Sequence, residues 1–178
     1  MTRLFTALEI PRSVATHLSL LRGGLPGARW IDPEHYHLTL RFIGDIDGRT
    51  ADEVAAALDR VYRPPFTLSL SGLDCFSGRS PHSLFMRVEP TPQLTELQAE
   101  NERIIQRLGL PPEGRRYTPH VTIARLRGTS AADAAGWLAA HGDVRILPFE
   151  VDRFVLYSSR SSVGGGPYLV EEAYPLAA

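Results

Sequence analysis

The sequence predicts an α+β protein in which a strand–helix–strand unit occurs twice. Three observations predict it. Segments with apolar residues at every second position take turns with segments whose apolar residues recur at helical spacing. The hexapeptides LFTALE (4–9) and LFMRVE (84–89) match at an offset of 80, and each precedes a helical pattern. Each of those patterns in turn precedes a strand with the pattern His-apolar-Thr-apolar, HLTL (37–40) and HVTI (120–123).

The elements follow in chain order. RLFTALEI (3–10) alternates as a strand; Pro11 then opens a helix with Val14, Leu18 and Leu21 on one face and Gly23 as its stop. Turn residues around LPG and IDPE lead into the strand HLTLRFIG (37–44). Thr50 and Glu53 read as a capping box for a helix whose stripe is Val54, Leu58 and Val61. FTLSLSGL (66–73) and SLFMRVEP (83–90) read as strands, although Met86 and Arg87 stand where a more apolar strand is expected. Thr91 as N-cap and Pro92 at the first helical position start a helix that runs through Leu94, Leu97, Ile104, Ile105 and Leu108 to Gly109. HVTIARL (120–126) is a strand, 130–141 an Ala-rich helix, and FEVDRFVLYSS (149–159) and YLVEEAYPL (168–176) are strands joined by the loop SSVGGGP. No low-complexity linker divides the chain, so residues 1–178 are expected to form one domain of two packed lobes.

Composition excludes several chemistries. The 178 residues are 43% hydrophobic and 22% charged, the range of a globular protein. One cysteine, Cys75, leaves no internal disulfide and suits a reducing compartment. The chain start carries Glu9 and Pro11 where a leader needs an apolar run, and no stretch approaches the ~20 apolar residues of a membrane span, so a cytoplasmic protein without a membrane partner is expected. A net charge of −1 does not suit tracking of long nucleic acid. All nineteen basic residues are Arg. Without Lys there is no Walker-type phosphate loop, Schiff base or covalent lysyl-nucleotide adduct, whereas Arg suits bidentate phosphate contacts.

On a strand, His37 and Thr39 share one face while Leu38 and Leu40 share the other, and His120 and Thr122 stand apart from Val121 and Ile123 in the same way. The apolar pair anchors each strand; the polar pair is free to face a cleft. Composition alone predicts roughly 0.07 such tetrapeptides per chain. HLSL (17–20) looks similar but lies in a helical segment, where residues two apart do not face each other, so His17 is read as a surface or structural residue. Two imidazoles at one site make an acid–base couple near neutrality. Threonine hydroxyls can donate to anionic oxygens, and Arg125 adds a fixed positive charge. These are the parts for in-line attack on a phosphodiester. Metal chemistry is not expected: two histidines 83 residues apart lack a third ligand at recognisable spacing, and HYH (35–37) puts His35 beside His37 only if the strand begins early. No G-x-S-x-G elbow is present.

The paired HxTx motifs at this spacing resemble the 2H phosphoesterases. The blocks RLFTALEIP, HLTLRFIGDID, RYTPHVTIAR, VDRFVLYSS and YPL narrow the resemblance to the LigT-like RNA 2′,3′-cyclic phosphodiesterases, also called 2′-5′ RNA ligases. The resemblance spans nearly the whole chain. It implies a bilobal fold with two mainly antiparallel sheets around a central cleft, and opening of a terminal 2′,3′-cyclic phosphate to a 2′-phosphate without metal or other cofactor. By the same resemblance His37 is the general acid, His120 the base, and Thr39, Thr122 and Arg125 hold the phosphate. The implied partners are RNA 3′ ends or small cyclic-phosphate nucleotides; a monomer without a protein partner is expected. Two alternatives remain at this point: an enzyme for another cyclic-phosphate or 2′-5′-linked nucleotide, and a non-catalytic binder of 2′-phosphorylated RNA ends. Phe5, Phe42 and Tyr157 are candidates to stack a base, though aromatics at strand spacing usually belong to the core.

Overall fold

The computed structural model describes residues 1–159 and 166–177. Its elements run β1 (Thr2–Glu9), α1 (Arg12–Ser19), β2 (Ala28–Trp30), a 3₁₀ turn (Pro33–His35), β3 (His37–Ile46), α2 (Gly48–Leu58), β4 (Phe66–Leu68), β5 (Leu70–Ser77), β6 (Pro81–Val88), α3 (Pro92–Arg107), β7 (His120–Leu126), α4 (Ala131–His141), β8 (Phe149–Val151), β9 (Arg153–Ser159) and β10 (Tyr168–Pro175). The main path of strands is β10-β9-β1-β3-β7-β6-β5, with β2 beside β7, and β4 and β8 form a separate pair. Every ladder is antiparallel. This is the expected α+β class.

The duplication is visible in the pairing. β1 and β3 are neighbours with α1 between them in sequence; β6 and β7 are neighbours with α3 between them. The two lobes meet where β3 pairs with β7, and among the described residues the one ladder pair there is Leu38 with Val121. Those two side chains are fully buried in a core shared with Val14 and Leu18 of α1, Val54 and Leu58 of α2, Leu94, Leu97 and Ile105 of α3 and Trp137 of α4. The helices therefore cover the face of the central strands opposite the histidines. Fully burying a side chain of this kind is worth about 1.5–3 kcal/mol, so the apolar half of each HxTx motif holds its strand in place.

Several local readings need correction. Helix α2 starts two residues before the expected box: Asp47 is the N-cap and its carboxylate accepts from the Thr50 amide at 2.8 Å. Asp at the N-cap competes with Thr for the same orphan amides, so Thr50 lies inside the first turn. Thr91 caps α3 as expected, accepting from the Leu94 amide at 3.2 Å. The single strand expected over 66–73 is two, because β4 pairs with β8 while β5 pairs with β6. FEVDRFVLYSS divides likewise into β8 and β9. α1 ends at Ser19, short of Gly23. Met86 is fully buried and Arg87 exposed, reaching Asp74 and the Ser71 carbonyl, which is ordinary alternation on β6. β2 was not expected; Gly27 (φ +80°) lets it approach β7, since a Cβ there would stand 2.3 Å from the Arg127 carbonyl oxygen. Of SSVGGGP, residues 161–165 lie outside the described residues. Among the described residues no helix is long and apolar enough to cross a membrane.

Candidate active site

Both histidines are held in the same way. Asp32 caps the 3₁₀ turn by accepting from the Glu34 amide, and the turn delivers the His35 carbonyl to within 2.9 Å of His37 Nδ1. In the second lobe the Thr118 carbonyl lies 2.7 Å from His120 Nδ1. A carbonyl only accepts, so each Nδ1 carries the proton and each neutral ring keeps its lone pair on Nε2. Nε2 of His37 is 3.1 Å from the Thr39 hydroxyl. The Tyr117 hydroxyl donates to the Thr39 carbonyl at 2.9 Å, tying the loop that precedes β7 to β3 across the lobe boundary.

The register brings the four polar residues together. With Leu38 opposite Val121, the antiparallel arrangement sets His37 beside Thr122 and Thr39 beside His120, all on the face away from the core. Beyond that pair the strands separate, and a cleft opens between the lobes.

A bulge falls at the last residue of each motif. On β3, Thr39 pairs with Ala7 and Arg41 with Thr6, leaving Leu40 as the extra residue. On β7, Thr122 pairs with Phe85 and Ala124 with Leu84, leaving Ile123 as the extra residue, whose carbonyl accepts from the Ile31 amide at 2.9 Å. An inserted residue shifts the alternation by one, so two successive side chains enter the core and the next returns to the cleft face. Burial shows this directly: Leu40 with Arg41, and Ile123 with Ala124, are buried, whereas Phe42 and Arg125 are exposed. Without the bulge Arg125 would lie on the face of Val121, away from His120.

Aromatic rings support both imidazoles. His37 meets Phe5 and Tyr168, each with ring centroids 5.1 Å away, and Tyr157 at 6.0 Å. His120 meets Phe76 at 4.9 Å and Phe85 at 5.3 Å. Phe5 and Phe85 are the equivalent positions of the LFTALE and LFMRVE repeat.

A family model described as the 2′-5′ RNA ligase superfamily matches residues 10–162. The chain belongs to this superfamily. The chain is 32% identical to the Thermotoga maritima protein named RNA 2′,3′-cyclic phosphodiesterase, over 94% of its own length and 92% of that protein. A protein of the same name from Aquifex aeolicus is also 32% identical, covering 82% of this chain and 81% of its own. Among solved structures, TT0787 of Thermus thermophilus superposes with a TM-score of 0.83 at 24% identity over 98% of this chain and 97% of that one, a likeness of fold. Escherichia coli LigT complexed with 3′-AMP superposes with a TM-score of 0.76 at 25% identity over 99% of both chains. The resemblance to LigT-like 2H phosphoesterases read from the sequence is thereby shown.

In this member of the 2′-5′ RNA ligase superfamily, both imidazoles are pushed toward the neutral form. Burial above all, with the positive charges of Arg125 and of a protonated His120 or His35, lowers the His37 pKa to about 4 against the opposing bond to the His35 carbonyl. Burial also lowers the His120 pKa, again opposed by its carbonyl bond and assisted by Arg125. Arg125 therefore acts on both rings, which places its charge over the shared cleft. An anion bound there would offset that charge and favour protonation of one imidazole.

All five residues expected at the site, His37, Thr39, His120, Thr122 and Arg125, share the cleft face. His17 is exposed on α1, away from it. Among the stacking candidates Phe5 and Tyr157 are core residues, whereas Phe42 is 49% exposed. Among the described residues no three of His, Cys, Asp and Glu cluster as a metal-holding group. Tyr117 and Phe85 were missed as parts of the site. The repeat could have found Phe85, since it matches Phe5; no sequence signal points Tyr117 at Thr39, 78 residues away.

Proposed function

We propose that this chain hydrolyses the 2′,3′-cyclic phosphate at RNA 3′ ends to a 2′-phosphate, with residues 1–178 acting as one two-lobed unit. The observation that carries the reading is the pair of imidazoles, each with Nδ1–H fixed on a carbonyl and Nε2 unprotonated, on either side of two threonines and one arginine. In the reaction one Nε2 takes a proton from water while the water oxygen attacks phosphorus. The bond from phosphorus to O3′ breaks, and the second imidazole, protonated at Nε2, delivers its proton to O3′. Thr39, Thr122 and Arg125 hold the non-bridging oxygens. A 5′-hydroxyl in place of water forms a 2′-5′ linkage by the same steps, with no lysyl adduct. The names of the relatives from T. maritima and A. aeolicus support the substrate class, and LigT with 3′-AMP supports a nucleotide in such a cleft.

The family resemblance makes His37 the acid and His120 the base. A second reading exchanges them, because burial lowers the pKa of His37 far enough to make it the poorer proton carrier of the free protein. A substrate with sulfur in place of O3′ separates the two, since a thiolate leaves without a general acid: activity lost with the acid residue returns on the thio substrate, and activity lost with the base does not.

The test of the function itself is incubation of the protein with a short RNA ending in a 2′,3′-cyclic phosphate, in EDTA, between pH 5 and 9. A 2′-phosphate product with a bell-shaped rate profile is expected. Binding without turnover would replace this reading with the non-catalytic binder, and turnover only on restoring metal would replace it with a metal-dependent esterase.

A further inference from the structure

Next to the two-histidine cluster is a cavity of about 250 Å³ whose walls include Arg29, Trp30, Asp32, His35, Arg125 and Gly166. Arg29 on β2 and Arg125 on β7 are directly opposed ladder partners, so their side chains leave the same face of the sheet. Like charges set opposite one another destabilise a strand pair. Among the described residues neither guanidinium has a carboxylate, carbonyl or hydroxyl partner, although pairs elsewhere show how readily this all-arginine chain forms them: Arg3–Asp45, Arg41–Glu102, Arg49–Glu53, Arg63–Glu100, Arg87–Asp74 and Arg153–Glu9. Asp32 also lines the cavity, and its Oδ1 caps the 3₁₀ turn. Trp30 packs its ring on Trp137, centroids 5.8 Å apart, which holds β2 in position.

Arg125 belongs to both spaces. It faces the two histidines and lines the cavity, while Arg29 stands one strand further from the reacting atoms. Two adjacent guanidiniums without a hydrogen-bond partner among the described residues outnumber the Asp32 carboxylate on the same wall and suit a second anionic group beyond the reacting phosphate. The volume lies just below the ~300–1,000 Å³ of pockets that enclose whole small ligands, so a phosphate with part of its sugar fits better than a complete nucleotide.

We propose that this cavity is a second phosphate subsite, in which Arg29 and Arg125 hold the phosphate on the 5′ side of the terminal nucleoside. The inference rests on the phosphodiesterase reading above and deepens it: the substrate is the cyclic end of a strand or of a 5′-phosphorylated nucleotide, rather than an unphosphorylated mononucleoside cyclic phosphate. Arg29 is a binding residue for the group next to the reacting one.

The experiment compares kcat/KM for adenosine 2′,3′-cyclic phosphate, its 5′-phosphorylated form, and the dinucleotide ApA ending in the same cyclic phosphate. The wild type is expected to prefer one or both of the substrates with a 5′ phosphate by about tenfold or more, the scale of one charge-assisted hydrogen bond. Arg29→Gln should remove most of that preference and Arg29→Lys should restore part of it, with thermal unfolding unchanged because Arg29 is exposed. Preference for the 5′-phosphorylated mononucleotide identifies a terminal phosphate as sufficient; preference for ApA alone identifies the internucleotide diester. A wild-type ratio near one, a preference that survives in Arg29→Gln, or an equal loss on all three substrates overturns the subsite. Failure to turn over any of the three overturns the phosphodiesterase reading instead.

Discussion

HLTLRF (37–42) and HVTIAR (120–125) fold alike residue by residue and differ in what their last two positions contribute. In both, the histidine donates Nδ1–H to the carbonyl two residues earlier, the second and fourth residues enter the core, and a bulge turns the sixth back to the cleft. The fifth residue is a buried arginine in the first strand and an alanine in the second; the sixth is a phenylalanine in the first and an arginine in the second. Arg41 is bound by Glu102 of α3, by the Phe42 carbonyl and by the Pro111 carbonyl of the loop entering the other lobe. Arg125 has no such clamp and its charge reaches both imidazoles. The two matching strands thus carry arginine as a fastener in one lobe and as an unclamped charge facing the cleft in the other. That difference gives polarity to a cleft that the histidines alone would leave nearly symmetric.

The strongest test of the symmetric part is removal of either histidine. His37→Ala and His120→Ala should each lower kcat by about 10²–10⁴-fold, and the double variant should lose little more than the worse single one, because the two act in one step. A loss below tenfold in either would break the pairing.

The fastener comes next. Burial by itself would raise the Glu102 pKa, but bonds from Arg41, the Gln106 side chain and the Glu113 amide bring it below the usual carboxylate value. Arg41→Met leaves that carboxylate without its main partner and should cost about 3 kcal/mol in urea unfolding, near the lower end for a broken buried pair because Glu102 is partly exposed. Arg41→Met with Glu102→Gln should recover much of the loss. Glu102 itself stabilises the fold above its unfolded pKa, and that contribution should fade as pH drops through and below 4.5.

The polarity of the cleft is tested at the sixth positions. Arg125→Gln should lower kcat/KM by about ten- to a hundredfold, the range for a lost charge-assisted bond, whereas Phe42→Ser should change kcat by less than about threefold. Similar losses at both positions would mean that charge does not distinguish the lobes.

The smallest expected effect is on stability against pH. Both histidine pKa values are lowered in the fold, so as pH falls below about 6.5 the unfolded chain takes up protons that the folded rings refuse. Stability is fully present above that pH and declines toward pH 4. His37→Asn should flatten this decline more than His120→Asn, by roughly 1–3 kcal/mol at pH 4.5, as read from urea midpoints across the range.

Much of this was legible in the residues. The strand of His120, the N-cap at Thr91 and the duplicated unit follow from local chemistry that needs no distant partner: alternation, a side-chain cap, a fixed proline φ. The errors lie where distant groups decide. FTLSLSGL alternates perfectly, but its two ends pair with different strands and so divide at Ser69. β2 has three residues and too short a pattern to recognise, yet it supplies Arg29. Thr50 is a local exception: it carries a capping motif that Asp47, three residues earlier, pre-empts.

By itself the sequence determined which polar groups stand together, because an imidazole beside a hydroxyl on one strand face is a property of residue identity and of a period of two. It also determined that no lysine takes part. Only the tertiary structure decided which charges reach the cleft. Strict alternation assigns Arg125 to the core face and Arg41 to the cleft face; one extra residue in each ladder exchanges them, and a bulge is set by register against neighbouring strands, β1 and β6, that are distant in the chain.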